Sequence, residues 1–331
     1  MTTIAVVGCG RIANAAHFPA FMQMDNVRIK YACDLIKEKA EAAKRDFPKV
    51  EQVITDYNVA LNDPEVEAVY VLTPNYAHYT VTMDALKAGK HVFCEKPITV
   101  SPEECEELQQ LAAAKGLIYM EAIMMLHLPQ RQAVLDALPQ LGRITSAHFD
   151  FSQLSSKYPA LLRGELPNIF NPKMATGSLM DLGVYCVYPV LDWFGEPEKI
   201  NASARFLPTG ADESCTALFE YPDKLLTLTC SKTGQSHLGS EILGDRGTLV
   251  IESISKLTGI RLFTGNDSRL IWGDEEKPTL MSGESMDFYR FIKDPEGTQK
   301  EYERASKLSL SVSRTMEKIR RLSGIRFPDY L

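Results

Sequence analysis

The first third of the chain alternates short apolar runs with amphipathic stretches. The amphipathic stretches carry apolar residues at helical spacing, and Ser101 followed by Glu104 forms a capping-box pattern before one of them. The apolar runs predict strands over residues 3–7, 27–33, 52–55, 66–72, 91–94 and 117–120. Strands that alternate with helices predict a doubly wound parallel sheet, in which ligands bind beyond the carboxyl ends of the strands.

The pattern changes after residue 122. A helix is predicted over residues 130–138, and most later segments alternate apolar and polar residues, as in strands with one solvated face. These segments span residues 143–154, 199–207, 215–221, 225–232, 240–243, 247–251 and 259–263. Because few helices separate them, we predict a mostly antiparallel sheet. The predicted fold class is α/β, with a Rossmann domain over residues 1–122 and an α+β domain with a large open sheet over residues 123–331.

Composition narrows the classes of function. The 331 residues are 45% hydrophobic and 24% charged, which is typical of a globular chain of two domains. A net charge of -7 disfavours nucleic acid as a partner. We find no apolar run long enough for a membrane span and no signal-peptide pattern. Seven scattered cysteines favour a reducing, cytoplasmic location, and six dispersed histidines predict no metal site.

A glycine-rich turn follows the first predicted strand. Residues 8–13 read Gly-Cys-Gly-Arg-Ile-Ala, a G-x-G-x-x-A pattern between a strand and a helix. Gly8 permits the tight turn, and Gly10 lets a pyrophosphate approach the backbone. The helix start at Arg11 and Ile12 presents N–H groups to that anion. The pattern predicts a dinucleotide site, and a purely structural turn is the alternative.

Asp34 ends the second predicted strand. A carboxylate at this position accepts hydrogen bonds from the adenosine ribose and repels a 2′-phosphate, which favours NAD over NADP. Lys37 and Lys39 lie close by in the sequence and leave NADP open. The alternative role for Asp34 is that of N-cap for the helix that begins near Lys37.

Two further motifs come after predicted strands of the same sheet. Thr73, Pro74 and Asn75 begin a T-P-N-x-x-H run that ends at His78, and Glu95 begins the run Glu-Lys-Pro. We expect both motifs at the edge of the sheet that carries the glycine turn. His78 either faces cofactor or substrate, or simply belongs to the first turn of its helix.

Taken in order, these motifs resemble the Gfo/Idh/MocA oxidoreductases. The resemblance implies that Lys96 lies beside the nicotinamide and the substrate, whereas a solvated surface lysine is the alternative. It also implies a second domain whose open sheet forms a dimer through one face. A long terminal helix, expected over residues 300–323, would pack back on the nucleotide domain. With that helix, the resemblance covers almost the whole chain.

The second half of the chain contains Asp181-x-Gly183-x-Tyr185 on a predicted helix. The motif resembles the D-x-G-x-H/Y pattern of the family, in the tyrosine version found in the branch of dimeric dihydrodiol dehydrogenase. The resemblance gives Tyr185 the role of acid and base, and Lys96 would lower the pKa of its phenol. Asp181 would orient a substrate hydroxyl or balance the lysine. The glycine suggests close approach of the nicotinamide ring, and a core tyrosine is the alternative for Tyr185.

Some residues depart from the pattern of the family. Asn168 stands where many relatives carry an arginine, and the run Ile-Met-Met-Leu-His after Glu-Ala is more typical of core. Lys157, Tyr158 and Arg163 lie in a predicted loop that either lines the pocket or is solvated. We therefore assign no dihydrodiol substrate.

The sequence as a whole predicts an NAD(P)-dependent oxidoreductase. Hydride would pass between nicotinamide and a secondary alcohol or ketone of a sugar, polyol or related small molecule. Lys96, Asp181 and Tyr185 are the predicted catalytic residues, and a homodimer or dimer of dimers is expected, without nucleic acid or membrane. The alternative is a non-catalytic NAD(P)-binding sensor or regulator on the same fold.

Overall fold

The computed structural model describes residues 1–274 and 277–328. Two compact units make up the chain. The first unit comprises Met1–His127 and Glu276–Leu310, and the second comprises Leu128–Glu275 and Ser311–Leu331.

Six parallel strands form the sheet of the first unit. Their order is β3-β2-β1-β4-β5-β6, the order of a doubly wound dinucleotide fold. They are Thr2–Val7 (β1), Val27–Cys33 (β2), Val50–Ile54 (β3), Ala68–Val71 (β4), His91–Glu95 (β5) and Tyr119–Ala122 (β6). Every residue of β1 and β4 is buried, because helices cover both faces of a parallel sheet. The predicted fold class of the first part is confirmed.

Ten α-helices lie in the described residues. A π-helical segment, Ala13–His17, leads into the first of them. The ten α-helices are Phe18–Met22 (α1), Lys37–Asp46 (α2), Asn58–Leu61 (α3), His78–Lys87 (α4), Pro102–Lys115 (α5), Pro129–Ala137 (α6), Tyr158–Leu162 (α7), Val184–Phe194 (α8), Lys277–Lys293 (α9) and Pro295–Ser323 (α10). The capping box that was predicted before α5 is present, since Glu104 N donates to Ser101 Oγ at 3.3 Å and Ser101 N donates to Glu104 Oε2 at 3.2 Å.

Helix α9 completes the core of the first unit and was missed by the sequence analysis. Its Phe288 packs edge-on against Tyr70 of β4 and Phe93 of β5, with ring centroids 5.6 and 5.4 Å apart. Phe291 is also fully buried in this cluster. Since Phe288 follows Phe93 by 195 residues, only the tertiary structure shows this contact.

The first part of α10 covers the edge strand of the same unit. Tyr119 N donates to the Tyr302 hydroxyl at 3.1 Å, and that hydroxyl donates to Tyr119 O at 3.3 Å. Gln109 Nε2 donates to Ser306 O at 2.8 Å. The helix thus satisfies backbone groups of β6 that a free edge would leave open. It begins at Pro295, earlier than predicted.

An eight-stranded sheet forms the second unit. Its order is β14-β13-β12-β11-β7-β10-β9-β8, and every neighbouring pair is antiparallel except β7 with β10. The strands are Ile144–Ser152 (β7), Lys199–Phe206 (β8), Asp212–Glu220 (β9), Leu225–Ser231 (β10), Ser240–Gly244 (β11), Thr248–Ser253 (β12), Thr258–Thr264 (β13) and Asp267–Trp272 (β14). The mostly antiparallel sheet is confirmed, although β14, an exposed edge strand, was not predicted.

One apolar segment of the second unit lies against this sheet. Residues Pro172–Phe194 are long and apolar enough, by length and composition alone, to cross a membrane, contrary to the expectation from the sequence. However, 83% of the segment's most apolar window is buried inside the fold, as in the core helix of a globular domain. The segment contains a π-helical turn, Leu179–Gly183, followed by α8.

Candidate functional site

The glycine turn lies at the carboxyl end of β1. Gly8 has φ +105°, and a Cβ there would lie 2.4 Å from Leu72 O, so only glycine fits. A Cβ on Gly10 would meet no atom within 4 Å. Arg11 is exposed and Ile12 half-buried at the start of the helical segment. The turn therefore presents open space directly outside the sheet, next to the first N–H groups of a helix.

Asp34 links the tip of β2 to this turn. Its Oδ2 accepts a hydrogen bond from Cys9 N at 3.0 Å, and its Oδ1 accepts one from Ile36 N at 2.9 Å. The bond from Ile36 N closes a short turn before α2. The predicted alternative, in which Asp34 is the N-cap of α2, is wrong, because the N-cap residue is Ile36 and no side chain caps the helix. Each carboxylate oxygen keeps a further lone pair for a ribose hydroxyl.

His78 joins the ends of β4 and β5. Its Nδ1 lies 2.9 Å from Pro97 O and its Nε2 lies 2.9 Å from Thr73 O, and the ring is buried. Burial lowers the pKa of His78, so the ring is neutral at pH 7 and donates to one carbonyl at a time. Pro74 is exposed and Asn75 half-buried beside it. His78 thus connects the two motifs, and its contact with cofactor or substrate stays a prediction.

Three buried side chains, those of Glu95, Glu121 and His78, hold the segment that contains Lys96. Lys96 N donates to Glu95 Oε2 at 3.1 Å, and Ile98 N donates to Glu121 Oε1 at 3.0 Å. Between them, the cis peptide Lys96–Pro97 contacts His78 through Pro97 O. These bonds hold the backbone of Lys96 in one place at the edge of the sheet.

Two buried side chains, His17 and Glu95, meet next to this segment. Glu95 Oε1 lies 2.8 Å from His17 Nε2, and His17 is completely buried. The imidazole ring packs edge-on against Phe93 at 5.8 Å. His17 was missed by the sequence analysis, because a lone histidine in an apolar run carries no local signal for its partner 78 residues away.

These residues fit a bound dinucleotide. The space beyond Gly10 is open, and the Oγ1 atom of Thr73 is buried without a hydrogen-bond partner among the described residues. Gly8, Asp34, Thr73 and Lys96 all follow carboxyl ends of strands at one edge of the parallel sheet. A pyrophosphate would be held at Gly10 and the helix start, and a ribose at Asp34.

The second unit carries the other two predicted catalytic residues. Asp181 lies in the π-helical turn, Tyr185 lies one turn later in α8, and both are half-buried. The ring of Tyr185 packs edge-on against Phe151 of β7 at 5.5 Å. A π-turn inside a helix is frequent at functional sites.

Close packing around residue 183 explains why this residue is glycine. A Cβ there would lie 2.9 Å from Leu179 Cδ1 and 3.2 Å from Cys230 Sγ of β10. The helix therefore packs closely on the sheet at this point. This contact accounts for the glycine without the nicotinamide ring that the sequence analysis invoked.

Lys232, which the sequence analysis missed, pairs with Asp181. Its Nζ contacts Asp181 Oδ2, and the two side chains are 7% and 30% exposed. Lys232 directly follows β10, at the end of an alternating strand where a lysine is usually taken for surface. Asp181 therefore has a cationic partner within its own unit.

A second carboxylate, Asp212, caps the start of the same helical segment. Its Oδ2 accepts a hydrogen bond from Leu179 N at 2.7 Å, and its Oδ1 has no partner among the described residues. A Cβ on Gly177 would lie 1.8 Å from this carboxyl group. Burial raises the pKa of Asp212 from 3.8 to about 7.

Asp212 predicts a pH dependence of stability. Between about pH 4 and pH 7 the folded protein holds a proton on Asp212 that the unfolded chain releases. The contribution of this bound proton to the free energy of unfolding is complete below about pH 4 and is lost as the pH rises through about 7. We expect the free energy of unfolding, measured in urea, to fall across this window, and Asp212→Asn to flatten the slope. Asn at the exposed Asp223 is the control, and a slope as steep in Asp212→Asn as in wild type would contradict the assignment.

The remaining candidates lie in or beside short helical segments, since α7, Tyr158–Leu162, occupies part of the loop that was predicted for Lys157, Tyr158 and Arg163. Asn168 is exposed in a 3-10 turn, Asn168–Phe170. Lys157 and Arg163 are exposed, and Arg163 pairs with Glu165 at 2.8 Å. Tyr158 packs edge-on against Phe170 at 6.2 Å. Their roles in a pocket stay predictions.

The residues that could bind a metal ion and the cysteine thiols are two further sets of groups with a potential chemical role. Within residues 1–274 and 277–328, no group of three or more His, Cys, Asp or Glu side chains forms a metal-binding cluster. All seven cysteines are buried, and none of them forms a disulfide bond. Burial raises the pKa of the Cys9 and Cys33 thiols, next to the glycine turn, to about 12, so neither is poised as a nucleophile.

Family models match both parts of the chain. Residues 2–123 match the oxidoreductase family with an NAD-binding Rossmann fold, and residues 138–250 match the GFO/IDH/MocA C-terminal domain. The chain is 34% identical over 266 residues to the scyllo-inositol 2-dehydrogenase (NADP(+)) IolU of Bacillus subtilis, covering 79% of each chain. It is 35% identical to trans-1,2-dihydrobenzene-1,2-diol dehydrogenase of Macaca fuscata fuscata, covering 65% of this chain and 63% of that one.

Solved structures share the fold. The 3-ketoreductase KijD10 of Actinomadura kijaniata, in complex with NADP and TDP-benzene, superposes with a TM-score of 0.84 at 22% identity and covers 97% of this chain and 98% of its own.

The chain spans less than two thirds of the length of several curated relatives that it matches, and 79% of IolU. Together with the family models, the match to IolU shows that the chain belongs to the Gfo/Idh/MocA family of oxidoreductases.

Proposed function

We propose that this protein is an NAD(P)-dependent dehydrogenase or reductase that acts on a secondary alcohol or ketone of a sugar, polyol or related small molecule. The observation that supports it most is the convergence of Gly8, Asp34, Thr73 and Lys96 at one edge of the parallel sheet, beside open space at Gly10. The relatives with named substrates, an inositol dehydrogenase and a dihydrodiol dehydrogenase, act on hydroxylated carbon rings.

The residues of the first unit bind the dinucleotide in this proposal. Asp34 accepts hydrogen bonds from the adenosine ribose, and Gly10 with the N–H groups at Arg11 and Ile12 receives the pyrophosphate. The rest of the dinucleotide lies on the part of this edge that is formed by Thr73, Pro74, Asn75, His78 and Glu95. Asp34 favours NAD, although NADP also fits a site whose neighbouring lysines, Lys37 and Lys39, are exposed. The bound nicotinamide supplies or accepts the hydride.

Tyr185 moves the proton. During oxidation its phenolate takes the hydroxyl proton of the substrate as the hydride leaves the same carbon, and during reduction the phenol returns that proton to the alkoxide. Lys96 holds the substrate oxygen and favours the phenolate form of Tyr185. Asp181 accepts a hydrogen bond from a neighbouring substrate hydroxyl.

The wider assignments belong to the same proposal. We place the dinucleotide domain in residues 1–122 and the substrate domain in residues 123–331, with α10 returning to the first domain. A homodimer or dimer of dimers follows from the resemblance, and seven cysteines without a disulfide support a cytoplasmic location.

A panel of cyclic polyols, linear polyols and sugars, each with NAD⁺ and with NADP⁺, tests the proposal. We expect reduced nicotinamide, followed by its absorbance, to form with at least one polyol or sugar and to form faster with NAD⁺. Tight dinucleotide binding by calorimetry with no turnover of any substrate in either direction would instead support a non-catalytic sensor or regulator.

A further inference from the structure

Lys232 is an unusual lysine because its ammonium group lies almost completely out of solvent. The residue is 5% exposed, and lysine is rarely buried unless it is paired. Its Nζ contacts Asp181 Oδ2, and moving a charged group out of water without an opposite charge beside it would be costly. The carboxylate of Asp181 is the group that keeps this ammonium in place.

The backbone around Lys232 is held as firmly as its side chain. Lys232 N donates to Glu213 O at 3.0 Å, and Ser155 N donates to Lys232 O at 2.9 Å. The same carbonyl of Glu213 accepts a hydrogen bond from Ser178 Oγ at 2.6 Å, at the start of the helical segment that carries Asp181. One carbonyl oxygen therefore fixes the end of β10 and the start of that segment relative to each other.

The two members of the ion pair differ in their access to solvent. Asp181 has 30% of its side chain exposed, whereas Lys232 has 7%. The side chain of Asp181 is therefore more accessible to a ligand than that of Lys232. Asp212, the other carboxylate near Lys232, is completely buried and bonded to Leu179 N, so it offers a substrate nothing.

We propose that Lys232 is a positioning residue that holds Asp181 as an oriented carboxylate, and that the contact proposed between Asp181 and a neighbouring substrate hydroxyl depends on this lysine. This inference rests on the proposed function and adds a residue that determines how strongly the neighbouring hydroxyl of the substrate is held. A carboxylate accepts but does not donate hydrogen bonds, so it favours a ligand hydroxyl over a carbonyl or hydrogen at that position.

Lys232→Met tests the proposal with a pair of substrates. The best polyol of the panel is compared with its analogue that lacks the neighbouring hydroxyl. We expect wild type to prefer the polyol in kcat/KM, and Lys232→Met to lower that preference by about tenfold or more, mainly through KM for the polyol. Lys232→Arg, which keeps the charge, should retain most of the preference. Lys199→Met is the matched control, because Lys199 pairs with Glu220 at 3.0 Å on the same sheet but is exposed.

A second measurement does not depend on turnover. In a double-mutant cycle of Asp181→Asn and Lys232→Met, followed by urea unfolding, we expect the double variant to be more stable than the sum of the two single losses predicts. Lys232→Gln replaces Lys232→Met if the latter does not fold. Additive losses would overturn the proposal.

The outcomes separate this inference from the proposed function. If wild type turns over polyols but Lys232→Met slows the polyol and its analogue by the same factor, the lysine has only a structural role and this inference is wrong. If wild type turns over nothing in the panel, the proposed function fails and the inference fails with it.

Discussion

Replacing Tyr185 with phenylalanine is expected to lower kcat by about a hundredfold or more, while the Kd for the dinucleotide stays within about twofold. The variant removes the hydroxyl that exchanges a proton with the substrate but keeps the ring that packs against Phe151. Steady-state kinetics with the best substrate of the panel, together with calorimetry of dinucleotide binding, measures both quantities. The loss should appear in kcat more than in KM, because the proton moves only during the chemical step.

Two companion variants sharpen this result. Lys96→Ala should also lower kcat, and the two losses should not add in the double variant if both residues act on one substrate oxygen. Tyr221→Phe is the control, since Tyr221 donates its hydroxyl only to Gly195 O at 2.7 Å and has no proposed role in the reaction. Normal turnover in both Tyr185→Phe and Lys96→Ala would refute the roles assigned to them.

Gly10→Val is expected to weaken dinucleotide binding by about a hundredfold or more without unfolding the protein. The first side-chain atom at this position meets no protein atom within 4 Å, so the folded chain accepts it. The same atoms would occupy the space proposed for the pyrophosphate. Calorimetry with NAD⁺ and NADP⁺ measures the loss, and a thermal unfolding midpoint close to that of wild type shows that the fold is kept.

Gly8→Ala is the contrasting variant. A Cβ there would lie 2.4 Å from Leu72 O, in a backbone conformation with φ +105° that alanine avoids. This change should lower the unfolding midpoint as well as binding. Unchanged dinucleotide affinity in Gly10→Val would mean that the glycine turn does not hold the cofactor.

Much of the first unit was predictable from its residues. Parallel strands covered on both faces are continuous apolar runs, so β1, β2 and β5 were found within two residues of their observed ends. The alternation of strands with helices then predicts the sheet, and the order of the motifs along the chain places them at one edge. The second sheet followed from alternating segments, apart from its exposed edge strand β14.

The tertiary structure decided the contacts between distant residues. His17 and Glu95 are 78 positions apart, and Asp181 and Lys232 are 51 apart, so no local pattern signals either pair. The aromatic residues of α9 reach the core under β4 and β5 from the far end of the chain. Gly183 shows the same limit, because its neighbour Cys230 belongs to a strand that the sequence places far away.

By itself, the sequence determined the two kinds of sheet, the glycine turn and the residues that follow the strands, since these depend on local periodicity and on residue type. Only the tertiary structure decided which partner each buried charge has. A charge leaves water only when an opposite charge or a hydrogen-bonding group meets it, and which group that is depends on how the chain folds back on itself.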